Sequence, residues 1–119
     1  MNKFLVVADG DFDLTERICR GFACTVVGDP TPDQIKSHKF TYVSSERNLK
    51  KVMEHGGIPV FMGRRWNEIP ELENGVNGFY SNNLDEIRWI IKRLLEKSVD
   101  ELKTVGYNSR LTWEKTWSM

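Results

Sequence analysis

The chain has 119 residues, 39% of them hydrophobic and 11% aromatic, which suits one folded domain with one real core and argues against disorder. Lysine plus arginine total 17 and aspartate plus glutamate total 17, so the formal net charge is zero. A balanced chain has no global pull toward nucleic acid or an anionic membrane, and neither is expected as a partner.

The first element is "KFLVVA" (residues 3–8), a short β-branched run that reads as a buried strand closed by a polar Gly/Asp turn. It is too short for a signal peptide and is followed at once by acidic residues, so the expected compartment is the cytoplasm. No stretch approaches the roughly 20 apolar residues of a membrane span. "LTERICRGF" (residues 14–22) predicts a short helix with Leu14, Ile18 and Phe22 on one face. Cys19 and Cys24 are too few for a disulfide framework and have no metal-ligand spacing with either histidine, so they read as reduced thiols in or near the core.

"ACTVV" (residues 23–27) is a second strand, closed by Gly28, Asp29 and Pro30. Thr31 caps a brief turn with Pro32 at its first position. "FTYV" (residues 40–43) is a third strand. A helix capped by Ser44 or Ser45 follows, with Leu49, Val52 and Met53 on its apolar face and Gly56 and Gly57 as its stop. "IPVFM" (residues 58–62) is a fourth strand.

The next stretch, "IPELENGVNGFY" (residues 69–80), is too broken for one helix and too polar for one strand. It is expected to shape a wall of a ligand cleft and to return to the sheet through a short fifth strand, "GFY". Asn83 with Glu86, and Ser98 with Glu101, form two capping boxes that open the last two helices. Trp113 and Trp117, four apart, share a face that packs on the domain.

Short apolar strands alternating with helices predict an α/β fold, a Rossmann-like parallel sheet flanked by helices. Ligands of such sheets bind beyond the carboxyl ends of the strands. That rule singles out Asp9, Gly10 and Asp11, then Gly28 and Asp29, then Ser44, Ser45 and Glu46, and finally Gly63, Arg64 and Arg65.

The start of the helix at residues 44–48 is a generic anion site, or simply a capped helix. Glu46 and Glu54 lie eight residues apart, on one helix face about 12 Å apart along the axis. Carboxylates in such a pair suit the hydroxyls of a ribose or sugar, though two solvated glutamates fit the spacing too. The adjacent Arg64 and Arg65 could hold a diphosphate or stand on a surface loop. Asp9, Asp11 and Asp13 lack the loop pattern of a cation site, so no metal is expected.

From Glu54 to Leu95 the chain resembles the C-terminal, donor-binding half of GT-B glycosyltransferases of the group-1 type. The resemblance rests on Gly57-Ile58-Pro59-Val60, on Ile69-Pro70-Glu71, on Asn74-Gly75-Val76-Asn77-Gly78-Phe79 and on the long helix that follows. Asn108-Ser109-Arg110 and Trp113-Glu114 are similar to motifs near that family's end, and "KFLVVADGD" to the strand and glycine turn that open its later sheet.

The resemblance implies a single nucleotide-sugar-binding domain over residues 1–119, with the acceptor-binding domain absent. It implies sugar transfer from a nucleotide diphosphate sugar, usually with retention, no cofactor beyond that donor substrate, and a separate acceptor-binding subunit or a homodimer to complete the cleft. By residue, it implies a catalytic Glu46. It implies sugar and diphosphate contacts from Arg47, Asn48 and Leu49, a ribose contact from Glu54, and a base flanked by Gly28 and Asp29. Gly10 stands in the glycine turn, and Arg47, Arg64 or Arg65 stand in for the family's diphosphate-gripping cations. The family's second glutamate sits seven residues before the proline of its G-x-P-V motif, where this chain has Val52, whereas Glu54 is five before Pro59.

A binding module without catalysis is the second reading of the same features. A receiver-type signalling domain would also place acidic residues after the first strand, but it needs a lysine after a late strand, where Gly63 and Arg64 stand.

Overall fold

The computed structural model describes residues 4–64 and 68–118. Five strands form one sheet in which every pairing is parallel: β1 (Phe4–Val7), β2 (Cys24–Val27), β3 (Thr41–Val43), β4 (Pro59–Met62) and β5 (Phe79–Ser81), in the order β2-β1-β3-β4-β5. β1 is buried along its whole length, as a strand covered on both faces must be. The order reverses between β1 and β3, which is the switch point of flavodoxin-type doubly wound sheets.

The period-two alternation of the strands sends side chains to two separate cores. Phe4, Val6, Tyr42 and Val60 pack on one face with Ile18 of α1 (Phe12–Cys19) and with Ile87, Ile91 and Leu94 of α4 (Leu84–Glu96). Leu5, Val7, Val43 and Phe61 face the other way. They meet Ile35 of α2 (Pro32–Ser37) and Leu49, Val52 and Met53 of α3 (Glu46–Glu54). Trp113 and Trp117, at the end of α5 (Val99–Thr116) and just past it, close this second face, as their spacing predicts.

Local chemistry sets the element ends. α1 begins at Phe12, two residues before the first expected helical position, because the Asp11 carboxylate accepts from the Leu14 N–H at 2.9 Å and caps it there. It stops at Cys19, short of Phe22, because Gly21 adopts φ +84°. Phe22 still reaches the core, edge-on to Phe4 with ring centroids 6.0 Å apart. The turn expected after Thr31 is a six-residue helix with a complete capping box between Thr31 and Gln34. The Ser98–Glu101 box is also complete. The Asn83–Glu86 box is half formed: Asn83 Oδ1 accepts from Glu86 N–H, but the Asn83 N–H donates to Ser81 Oγ.

Residues 69–78 correct an expectation. They do not line the cleft described below. Parallel β4 and β5 force the chain to travel from the carboxyl edge of the sheet back to its amino edge, and this segment makes that crossing without a helix. Ile69 and Leu72 are buried in the second core, and Gly78 arrives against Pro59, the first residue of β4. Asn77, 3% exposed, holds the segment together. Its Oδ1 accepts from Glu73 N–H at 2.8 Å, and its Nδ2 donates to Glu71 O at 2.8 Å and to Thr112 Oγ1 at 2.9 Å. Asn108 Nδ2 ties Val76 O to α5 at 3.0 Å.

Candidate functional site

Beyond the carboxyl ends of β1, β3, β4 and β5 lies a cleft of about 450 Å3. Asp9 and Asp11 come from the turn after β1, and Leu14 from the first turn of α1. Ser44 and Ser45 follow β3, Met62, Gly63 and Arg64 end and follow β4, and Asn82 follows β5. The cleft spans the β1/β3 switch point, where ligands of open parallel sheets bind.

Three helices begin at its rim. The N-caps are Asp11 for α1, Ser45 for α3 and Asn83 for α4, each with its side chain on a backbone N–H of the first turn. The next N–H groups of each helix have no partner inside the helix and carry the positive end of its dipole. At α3, Ser45 Oγ accepts from Asn48 N–H at 3.2 Å, and Glu46 and Arg47 supply the free first-turn N–H groups. Glycine is required at position 63, since a Cβ there would stand 2.6 Å from the Tyr80 ring, and it lets the chain turn out of β4 into the cleft. Gly10 takes φ +91° between the two aspartates, a conformation that other residues resist.

Asp9 is the most heavily bonded group of the cleft. One carboxylate oxygen accepts from Ser44 N–H at 3.4 Å and from Ser44 Oγ at 3.2 Å, and the other accepts from Asn48 Nδ2. The turn after β1 is thereby tied to the start of α3. Below them, Tyr42 is 1% exposed, and its hydroxyl has no hydrogen-bond partner. The phenol is pushed well above its ordinary pKa, first by burial and then by the negative charges of Asp9 and Asp11, so it stays a neutral donor.

Arg64 lines the cleft, and among the described residues its guanidinium has no partner; its backbone N–H donates to Glu68 Oε1 at 2.8 Å. Arg65 lies outside the described residues. Gly10 belongs to the cleft's first turn. Glu46, the first residue of α3, stands beside Ser45 with its carboxylate on Lys50 Nζ at 2.9 Å, on the exposed side of the helix. Arg47 is exposed on the same first turn.

Asn48 and Leu49 are spent on the protein itself. Asn48 is buried and bonded to Asp9, while Leu49 is buried in the second core with its N–H on Ser45 O. Gly28 and Asp29 sit past β2, outside the cleft lining, and Asp29 pairs with Lys51 Nζ at 2.9 Å. That hydrogen bond, with the lysine's charge, holds the Asp29 carboxyl below its usual range.

Glu54 is the last residue of α3, and its carbonyl accepts from Arg110 Nη1. It lies about 12 Å down the helix from Glu46, toward the amino edge of the sheet, and the cleft does not reach it. Val52, seven residues before Pro59, where the glycosyltransferase resemblance would require a glutamate, is fully buried, and a carboxylate there would lose its hydration. The structure thus brings Arg64, Gly10 and the first turn of α3 to one place and leaves Glu54, Gly28 and Asp29 outside it.

The strand-end rule named most of the lining. It missed Asn82, because a three-residue fifth strand gives a weak signal. Neither Gly63 and Arg64, after β4, nor Asn82, after β5, supplies the lysine that a receiver-type domain needs after a late strand. Among the described residues no group of three or more His, Cys, Asp or Glu could hold a metal ion, and no helix is long and apolar enough to cross a membrane. Comparison of the chain with protein-family models, curated proteins and solved structures finds no match.

Proposed function

We propose that this domain binds a nucleoside diphosphate sugar and serves as the donor half of a glycosyltransferase, retaining at the anomeric carbon. A separate acceptor-binding subunit or a second copy of the chain supplies the opposing wall. The observation that carries the reading is the convergence on one cleft at the switch point of three helix N-termini and of Arg64, whose guanidinium has no partner among the described residues. Such an array favours phosphate oxygens, because each free N–H and the guanidinium donate to an anion.

In transfer, the bond from the anomeric carbon to the diphosphate breaks and negative charge builds on the leaving diphosphate. Donors already aimed at that charge stabilise it without reorganising, which lowers the barrier. Glu46 leaves an exposed lysine pair at little cost and accepts hydrogen bonds from sugar hydroxyls.

One observation favours a binding module instead: the only member of the Glu46/Glu54 pair near the cleft is Glu46. Calorimetric titration with uridine, adenosine and guanosine diphosphates and their sugars tests the shared part. Saturable binding of at least one supports it, and no binding by folded protein refutes it. Release of free or transferred sugar from the bound donor then separates enzyme from binder.

A further inference from the structure

The donors that Ser44 and the Asn48 side chain present at the start of α3 are already occupied by an anion, and that anion belongs to the protein. Asp9 takes the Ser44 N–H, the Ser44 hydroxyl and the Asn48 side-chain amide with its two carboxylate oxygens. A phosphate entering the cleft at the switch point meets the same donors and the same charge. We propose that Asp9 is a built-in competitor for phosphate: its carboxylate fills the α3 end of the cleft in the free protein, and a bound diphosphate displaces it. This inference rests on the reading of the cleft as a diphosphate site.

Three features support it. Asp9 sits in an open turn beside Gly10, where a Cβ would meet nothing within 4 Å, so the turn has room to move the carboxylate aside. Asn48 is more than nine-tenths buried, so its amide is a fixed donor rather than a surface group that follows Asp9. The Tyr42 hydroxyl, buried next to Ser44, Asp9 and Asp11, has no well-formed hydrogen bond, so the Asp9–Ser44 arrangement leaves a buried donor under-satisfied. Asp11 does not compete in the same way, since its carboxylate caps α1.

The consequence is selectivity by charge. A single phosphate exchanges one anion for another and gains little. A diphosphate replaces Asp9 and also reaches Arg64 across the cleft. The test is calorimetric titration of the wild type and Asp9→Asn with inorganic pyrophosphate, inorganic phosphate and uridine diphosphate, with thermal melting as the fold control. Removing one negative charge from the α3 end of the cleft tightens phosphate and pyrophosphate binding by about tenfold or more. Unchanged or weaker binding by folded Asp9→Asn overturns the proposal.

Should Asp9→Asn not fold, the wild type decides the matter. On saturation with pyrophosphate, the Asp9 side-chain carboxyl resonance moves together with the Ser44 amide. A Ser44 shift with Asp9 unmoved overturns the proposal. Tighter pyrophosphate binding by Asp9→Asn, in a protein that binds no nucleotide or nucleotide sugar, upholds the competition and refutes the proposed donor. Nucleotide binding by the wild type without any gain in Asp9→Asn does the reverse. No binding of any probe to either protein sinks both.

Discussion

Replacing Asn77 by alanine is expected to destabilise the protein more than any surface change in the 69–80 segment. Asn77 is 3% exposed and makes three hydrogen bonds, to Glu73 N–H, Glu71 O and Thr112 Oγ1, between 2.8 and 2.9 Å. The substitution leaves one N–H, one carbonyl and one hydroxyl without their partner in part-buried positions. A stranded buried group costs about 1–3 kcal/mol, with less where water can enter the vacated space, so the sum is about 3–5 kcal/mol. For a domain of this size that lowers the melting temperature by about 10–20 °C.

Circular dichroism against temperature and urea measures the loss. Asn77→Asp keeps the acceptor toward Glu73 N–H and sets a carboxylate against two former acceptors, one of them a carbonyl that cannot donate, so it is expected to fail to rescue. A loss below about 1 kcal/mol in Asn77→Ala would refute the view that this side chain, rather than apolar burial, fixes the β4–β5 connection.

Three further outcomes follow from the geometry. Arg64→Ala is expected to weaken nucleoside diphosphate binding about tenfold or more by calorimetry, the loss of one charge-assisted contact, whereas Glu54→Gln changes it less than about twofold; the reverse ranking would put the site elsewhere. The Asp29 carboxyl, held low by Lys51, contributes stability that is present above its unfolded pKa near 3.8 and lost as the pH falls through its lower folded value. Lys51→Met therefore flattens the acid side of the stability profile by slightly lowering stability near neutral pH, and the two proteins converge as the pH falls through the Asp29 titration, as read by urea melts across pH 2–7. Finally, burial and the hydrogen bond that its S–H donates to Cys19 push the Cys24 thiol up to about 12. It should resist a thiolate-selective reagent at pH 7 in the folded protein and react on unfolding; rapid modification of folded Cys24 would contradict the packing described.

How far the site could be read in advance depended on which rule was used. The rule that ligands lie past the carboxyl ends of parallel strands is a matter of backbone geometry. It led to Asp9, Asp11, Ser44, Ser45, Gly63 and Arg64, which line one cleft, and to Gly28 and Asp29, which do not. Helical spacing singled out Glu46 and Glu54, and the resemblance to group-1 glycosyltransferases gave them roles, but only the first stands near that cleft. Helical spacing puts both on one face, but a helix that begins at the carboxyl edge runs away from it, so eight residues on is the wrong end of the sheet. Leu49 shows the same limit: the residues beside a helix start include those that face the core.

The sequence by itself determined the architecture. Alternating apolar strands and amphipathic helices, with Asp, Ser, Thr and Asn at the helix starts, leave few ways to bury the apolar faces other than a covered parallel sheet. Only the tertiary structure decided which donors remain available. The tie between Asp9 and Ser44, 35 residues apart, and the crossing held by Asn77 and Thr112, also 35 apart, join segments with no local signal for each other. Hydrogen bonds between distant side chains form only after the chain has packed, and no local pattern of residue types records them.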